Sequence, residues 1–311
     1  MSLLTPVAFI VFNRPDLTQR VFEAIAKAKP QKLFVIADGP RSPEEAEKCQ
    51  KARQVIDKVD WDCEVLTNFS EKNLGCRRRV STGLDWVFSE CEEAIILEDD
   101  CLPAPSFFDF CQILLEYYRH DERIMHISGD NFQLGQSRTD YSYYFSNYTH
   151  DWGWATWQRA WKHYDVDMKR WPQFKKARMV EFLCEDPYEQ NYWTSMLDRV
   201  FEGTVDTWDV QWNYACWSQN GLSIVPDSNL VSNIGFRPDA THTVGVSHIA
   251  GLPTTDIVEM RHPPFVLRNR DADAYTFDYV FGCKDMRERG TLQAKIRQRM
   301  SGIRRKVTSW L

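Results

Sequence analysis

Three consecutive carboxylates, Glu98, Asp99 and Asp100, follow the apolar run Ala94–Leu97. Neighbouring carboxylates repel one another unless a cation sits among them. Charge runs are normally solvated loops, but this one terminates a stretch that reads as a buried strand. Carboxylates at a strand end suit a hard divalent cation. Mg²⁺ and Mn²⁺ prefer oxygen ligands, and Mg²⁺ typically takes one or two carboxylates together with phosphate oxygens. Such an ion neutralises a diphosphate leaving group. Two other apolar runs also end in polar pairs: Asn13-Arg14 and Asp38-Gly39.

The elements that must position these groups alternate. Pro6–Phe12 reads as a strand, followed by a helix that Pro15 and Asp16 start and that runs to about Ala28. Lys32–Gly39 reads as a second strand. A helix capped by Ser42, with Pro43 in its first turn, follows it. Asp62–Phe69 is a shorter strand, Arg77–Cys91 a helix, and Glu93–Asp100 a fourth strand. Repeated strand–helix alternation predicts an α/β fold, a mostly parallel sheet with helices on both faces. Ligands of such sheets sit at the carboxyl ends of the strands, where all three polar strand ends fall.

Further along, Pro105–His120 reads as an amphipathic helix and Arg123–Ser128 as a strand. Tyr141–Tyr164 is densely aromatic, and Trp152, Trp154 and Trp157 fit no single helix face. At least one of them is expected to stack on a sugar, with Trp152 and Trp154 taken as the acceptor platform. Glu189–Glu202 and Thr207–Gly221 read as helices, and Leu222–Phe236 as strand and turn. No hydrophobicity gap divides the chain before residue 243. The organisation expected is one domain over 1–243, with a binding half (1–130) and an acceptor half (131–243). An irregular extension covers 244–283, and a basic amphipathic helix 284–311.

The formal net charge of −6 argues against a nucleic-acid partner. The nine cysteines are scattered, with no CxxC pair, so a structural zinc site is not expected. With no signal-peptide pattern at the start, they read as reduced thiols in a cytoplasmic protein. There is no GxxxxGK[ST] loop, and no GxGxxG follows a strand. From Lys284 to Leu311 nine Lys/Arg face two Asp/Glu, and Leu292, Ile296, Met300, Ile303, Val307 and Trp310 form one helical stripe. That pattern suits peripheral contact with the inner face of an anionic membrane, or packing on protein.

The strings "AFIVFNRPDLTQRVFEAI", "KLFVIADGPR", "NLGCRRRVSTGLDWVF" and "AIILEDDCLPAPSFFDF" together resemble the nucleotide-sugar domain of GT-A glycosyltransferases. The likeness is closer to N-acetylglucosaminyltransferase I and to bacterial family-2-like enzymes, and covers about residues 6–235. The resemblance implies a Rossmann-like fold, an inverting transfer and donor contacts at the strand ends already noted. Arg14 and Asp38 would meet the nucleobase or ribose, with Asn13 and Gly39 beside them. Asn73 and Arg77 would lie near the base or phosphates, Glu98 would face the donor sugar and Asp99 the ribose. Asp100 would bind the metal, Mn²⁺ or Mg²⁺, and His242 would join the metal or the diphosphate. Trp208-Asp209 matches a Trp-Asp pair whose carboxylate serves as catalytic base. Asp209 is therefore the expected base, and Asp151, in "HDWGWATW", the alternative.

The function implied is transfer of a sugar from a nucleoside diphosphate, preferably uridine, to a glycan or lipid-linked saccharide in bacterial surface polysaccharide synthesis. A sugar nucleotidyltransferase is the first rival reading. It usually opens with a Gly-rich, Arg-containing loop, which "FNRPDLTQR" lacks. A non-catalytic carbohydrate-binding protein on the same scaffold is the second.

Overall fold

The computed structural model describes residues 3–237 and 249–289. The chain begins with β1 (Val7–Val11), α1 (Pro15–Ala28), β2 (Lys32–Ala37), α2 (Pro43–Gln54), β3 (Glu64–Phe69), α3 (Gly75–Glu90) and β4 (Glu93–Glu98). Then follow β5 (Cys101–Pro103), α4 (Ser106–Tyr117), β6 (Ile124–Ser128), β7 (Tyr143–Ser146) and β8 (Trp154–Trp157). Short helices α5 (Gln158–Trp161), α6 (Trp171–Lys176) and α7 (Val180–Leu183) lead to α8 (Pro187–Phe201) and α9 (Asp209–Ser218). The last elements are β9 (Leu222–Pro226), β10 (Val231–Asn233) and α10 (Arg270–Tyr279).

Eight strands form one sheet in the order β3-β2-β1-β4-β8-β6-β9-β7. The first four are mutually parallel, as strand–helix alternation requires. The other half is mixed, not parallel: β8 runs against both β4 and β6, and β7 against β9. β6 therefore points the same way as β4. β9 is parallel to β6, so six of the eight strands point the same way and the sheet is mostly parallel as expected, with only β8 and β7 running against it.

β1 is apolar at every position because both its faces are covered. Val7, Phe9 and Val11 pack with Val21, Phe22 and Ile25 of α1 and with Phe107, Cys111 and Leu114 of α4. Ala8 and Ile10 face the other way, toward Val80, Leu84 and Val87 of α3 and Trp212 and Ala215 of α9. Two layers of helix thus sandwich the sheet. Burying one such large apolar side chain is worth about 1.5–3 kcal/mol. A third cluster, with Trp171, Trp193, Leu197 and Trp217, lies around α8.

Ser42 holds the position before α2 but its hydroxyl makes no capping bond; the expected side-chain cap is not formed. The stretch read as irregular past residue 243 contains α10, whose cap Asn269 accepts a hydrogen bond from the Ala272 amide at 3.0 Å. All nine cysteines are free. No helix among the described residues is long and apolar enough to cross a membrane. The amphipathic stripe from Leu292 onward lies outside the described residues, although 283–289 are helical.

Candidate active site

The strand ends converge through topology. β1 lies between β2 and β4, so the chain turns to opposite sides of the sheet at the β1–β4 boundary, where ligands of open α/β sheets bind. Register sets the level: Ile10 pairs with both Ile36 and Glu98. Asn13-Arg14, Asp38-Gly39 and the acidic triplet therefore leave the sheet along one edge. β8 is antiparallel, so the segment preceding it, with Asp151 and Trp152, reaches that edge too, as does Asp130 after β6.

Arg14 is the cation the triplet needs. Its Nη2 donates to Asp99 Oδ1 and lies 2.9 Å from Asp100 Oδ2, while the Phe12 amide donates to Asp99 Oδ2 at 3.3 Å. Burial still pushes the Asp99 carboxyl up to about 6, against the pull of Arg14. Glu98 is held well above the usual carboxylate range, by burial first and then by Asp100, Asp151 and Asp99. One guanidinium among these carboxylates leaves the edge short of positive charge.

The chain also crosses directly over Asp100. The Ile234 amide donates to the Asp100 carbonyl at 2.8 Å, and β10 pairs antiparallel with β5. Residue 235 must be glycine here, since a Cβ would fall 2.2 Å from Asp100 Oδ2. Among the described residues, no three His, Cys, Asp or Glu side chains converge into a metal cage. A metal here would rest on Asp100 alone with phosphate oxygens and water, the arrangement Mg²⁺ commonly takes, and Asp100 Oδ2 would have to share it with Arg14. His242, the expected second ligand, lies outside the described residues.

Asp38, Gly39 and Asn73 form a second group. Asp38 accepts from the amides of Leu74 and Gly75, at 2.9 and 3.0 Å, and so satisfies free amides at the start of α3. The Asn73 amide donates to Asp38 and to the Gly39 carbonyl. Asn13 donates to Glu45 of α2 at 2.6 Å. Arg77 donates to the carbonyls of Val166 and Val200, tying α3 to the second half of the chain.

The two candidate bases share one cavity of about 250 Å³, walled by Tyr148, Trp152, Tyr192, Trp193 and Phe281. Asp151 and Asp209 both line it. Asp209 opens α9 and accepts from the Thr207 hydroxyl. Asp151 is held well above the usual carboxylate range, by burial first and then by Asp209 and Asp130. A larger hollow of about 660 Å³ between α1 and α4 is lined by none of the candidate residues.

One expected ring platform, Trp154, belongs to the core instead, and so does Trp208, which was expected to contact the donor. Trp154 is only 1% exposed, 5.5 Å from Trp208 and 5.7 Å from Trp212 between ring centres. Trp208 is likewise buried. Neither offers a face to a ligand, unlike Trp152, which lines the cavity. Gly153 separates them. It adopts a positive φ of 68°, and a Cβ there would lie 2.8 Å from Val231. Its bend sends Trp152 to the cavity and Trp154 to the core.

Sequence reasoning missed Tyr192, Trp193 and Phe281, which reach the cavity from three-dimensional packing rather than from any motif. It also missed Asp130, although the strand-end rule would have found it, since "HISGD" repeats the pattern of an apolar strand followed by an acid. Asp130 is wholly buried, and neither carboxylate oxygen has a hydrogen-bond partner. Burial holds its carboxyl well above the usual range, outweighing the nearby amides of Asp130 and Trp152.

No family model matches the chain, and no curated protein matches it. Solved structures overlap it loosely. A UDP-glucose pyrophosphorylase complexed with UDP-glucose is 8% identical over 72% of this chain and 90% of its own, with a TM-score of 0.37. HddC from Yersinia pseudotuberculosis is 9% identical over 52% and 80%, with a TM-score of 0.33. A cytidylyltransferase from Leptospira borgpetersenii serovar Hardjo-bovis (strain JB197) is 11% identical over 65% and 72%, with a TM-score of 0.32. Overlaps this loose do not decide between functions, and the residues must.

Proposed function

We propose that this chain is an inverting glycosyltransferase that moves a sugar from a nucleoside diphosphate to a hydroxyl of a glycan or lipid-linked saccharide. The observation that carries this reading is the pair Asp151 and Asp209 on one aromatic-walled cavity. Asp151 lies close enough to Asp100 and Glu98 for their charges to act on one another. Asp209 takes the proton of the acceptor hydroxyl. That oxygen attacks the anomeric carbon, the bond to the diphosphate breaks on the opposite face, and configuration inverts, as in an inverting hydrolase with a sugar hydroxyl replacing water. Asp151 retains its proton to higher pH than an ordinary carboxyl, so it serves as a hydrogen-bond donor and leaves the base role to Asp209.

Arg14 presents a guanidinium at the switch point, where a ribose or phosphate would displace part of its contact with Asp99. A divalent ion on Asp100 would neutralise charge on the departing diphosphate. The apolar stripe and surrounding basic residues in 284–311 support an acceptor carried at an anionic membrane surface.

Sugar nucleotidyl transfer is the second reading. The two reactions differ in what leaves: a nucleoside diphosphate or pyrophosphate. The protein should be incubated with Mn²⁺ and a panel of nucleotide sugars, and separately with nucleoside triphosphates and sugar 1-phosphates. Release of a nucleoside diphosphate from the first mixture alone is expected. Pyrophosphate from the second would replace this proposal with nucleotidyl transfer.

A further inference from the structure

The aromatic cavity has a feature that the reaction alone does not require. Asp151 and Asp209 line it, yet no Lys or Arg does so among the described residues. Behind Asp151 stands Asp130, buried and without a hydrogen-bond partner. His150 lines the same wall but is neutral, its imidazole pushed down to about 3 by burial. The Arg14 cation is committed to Asp99 and Asp100. A second anion entering this space would meet the carboxylate of the base, Asp209, and would find no cation to pair it among the described residues, only neutral donors such as the Asn213 amide, whose Nδ2 has no hydrogen-bond partner.

Size and walls restrict the ligand further. At about 250 Å³ the cavity falls just below the roughly 300–1,000 Å³ of drug-sized ligand sites, so it suits one ring rather than a chain of them. Phe281 lies 5.2 Å from Trp193, 5.4 Å from Tyr148 and 5.6 Å from Tyr192 between ring centres. It comes from just beyond α10, which Asp273 anchors to the end of β7. That buried carboxylate accepts from the Ser146 hydroxyl at 2.5 Å and from the Asn147 amide at 3.1 Å. The C-terminal segment thus contributes an aromatic wall to the cavity that the two carboxyl side chains also line.

We propose that this cavity receives the acceptor as a single sugar ring without negative charge, and that Phe281 is a specificity-determining residue packing against the ring's apolar face. Identifying the ligand as an acceptor rests on the transferase reading above; the charge and ring selection are read from the cavity itself. Uronic acids and ring-phosphorylated units are excluded from this position, whereas such groups are tolerated on units lying outside it.

The test uses the full chain without nucleotide, reading ligand-observed NMR and the fluorescence of Trp152 and Trp193. Probes are the methyl glycosides of glucose, galactose and mannose, against methyl glucuronide and methyl galacturonide, near neutral pH. At least one neutral glycoside should bind, and its uronide at least about tenfold more weakly, since charges a few ångströms apart interact strongly in such a site. Phe281→Ala should weaken the neutral glycoside about fivefold or more, and Phe281→Tyr should restore it, because ring stacking contributes on the order of 1 kcal/mol. Equal or tighter uronide binding, binding indifferent to Phe281→Ala, or no binding of any neutral glycoside overturns the inference. Selective binding without turnover of any nucleotide sugar would instead sink the transferase reading and leave the cavity's selectivity standing.

Discussion

The two halves of the sheet bring different materials to the same edge. The parallel half delivers charge: Arg14 among Glu98, Asp99 and Asp100, with two of those carboxyls pushed upward by burial. The mixed half delivers aromatic rings with Asp130, Asp151 and Asp209 among them, beside a fully paired histidine in its core. His126 accepts from the Trp212 indole at Nδ1, at 3.0 Å, and its Nε2 donates to the His150 carbonyl at 2.7 Å. Burial pushes both His126 and His150 down to about 3. A group whose polar atoms are all paired gains nothing from a ligand. A buried site with surplus charge gains whenever a counter-charge arrives. The contrast separates the polar residues placed to bind from those placed to pack.

The contrast breaks first at Arg14. Arg14→Ala leaves the triplet unneutralised and should cost about 3–5 kcal/mol of stability, the usual loss when one partner of a buried pair is removed. The loss should be larger at pH 8 than at pH 5, where the carboxyls can take protons instead; urea unfolding at the two pH values checks it. Equal loss at both would mean that Arg14 packs rather than neutralises.

At the aromatic side, Asp209→Asn should lower turnover by about a hundredfold or more while nucleotide binding persists, the scale of a general base. Asp151→Asn should cost less, as its proton is already held. Reversal of that ranking in steady-state kinetics would exchange their roles.

Titration sharpens the comparison, because the halves respond in opposite senses. Asp99 binds its proton more tightly when folded, so its contribution to stability is present below the ordinary value of 3.8 and is lost as pH rises through about 6. His126 binds its proton less tightly when folded. Its contribution is full above 6.5 and is lost as pH falls toward 3. Asp99→Asn should flatten the decline between pH 4 and 6, and His126→Gln the acid-side decline, in stability measured against pH.

Smaller effects test the caps. Asp38→Ala strips the amides of Leu74 and Gly75 and should cost about 1–2 kcal/mol, as capping residues do. Ser42→Ala should change stability by no more than about 0.5 kcal/mol, since its hydroxyl caps nothing. Thermal denaturation of the pair would decide whether this difference is real.

The charged half was legible in the sequence because its parts are local. Apolar runs that stop at Asn13-Arg14, Asp38-Gly39 and Glu98-Asp99-Asp100 declare both the strand and its ligand end. The ring-walled half was not, for three physical reasons. The positive φ of Gly153 reverses which neighbouring Trp faces the cavity, and no periodicity encodes that. Tyr192, Trp193 and Phe281 come together from helices and a tail far apart in the chain. The strands around β8 pair antiparallel through loops, so no strand–helix rhythm announces their order.

The pairing of β5 with β10 has a further consequence, in the order of assembly. Asn233 meets Cys101 across more than a hundred residues of intervening chain. Contacts of such long separation cost more closure entropy and form late. Arg14 and the acidic triplet both lie within the first hundred residues. A chain leaving the ribosome therefore holds its carboxylates beside their cation well before Gly235 crosses Asp100. Phe281 comes later still, so the ring wall is the last part of the site to be built.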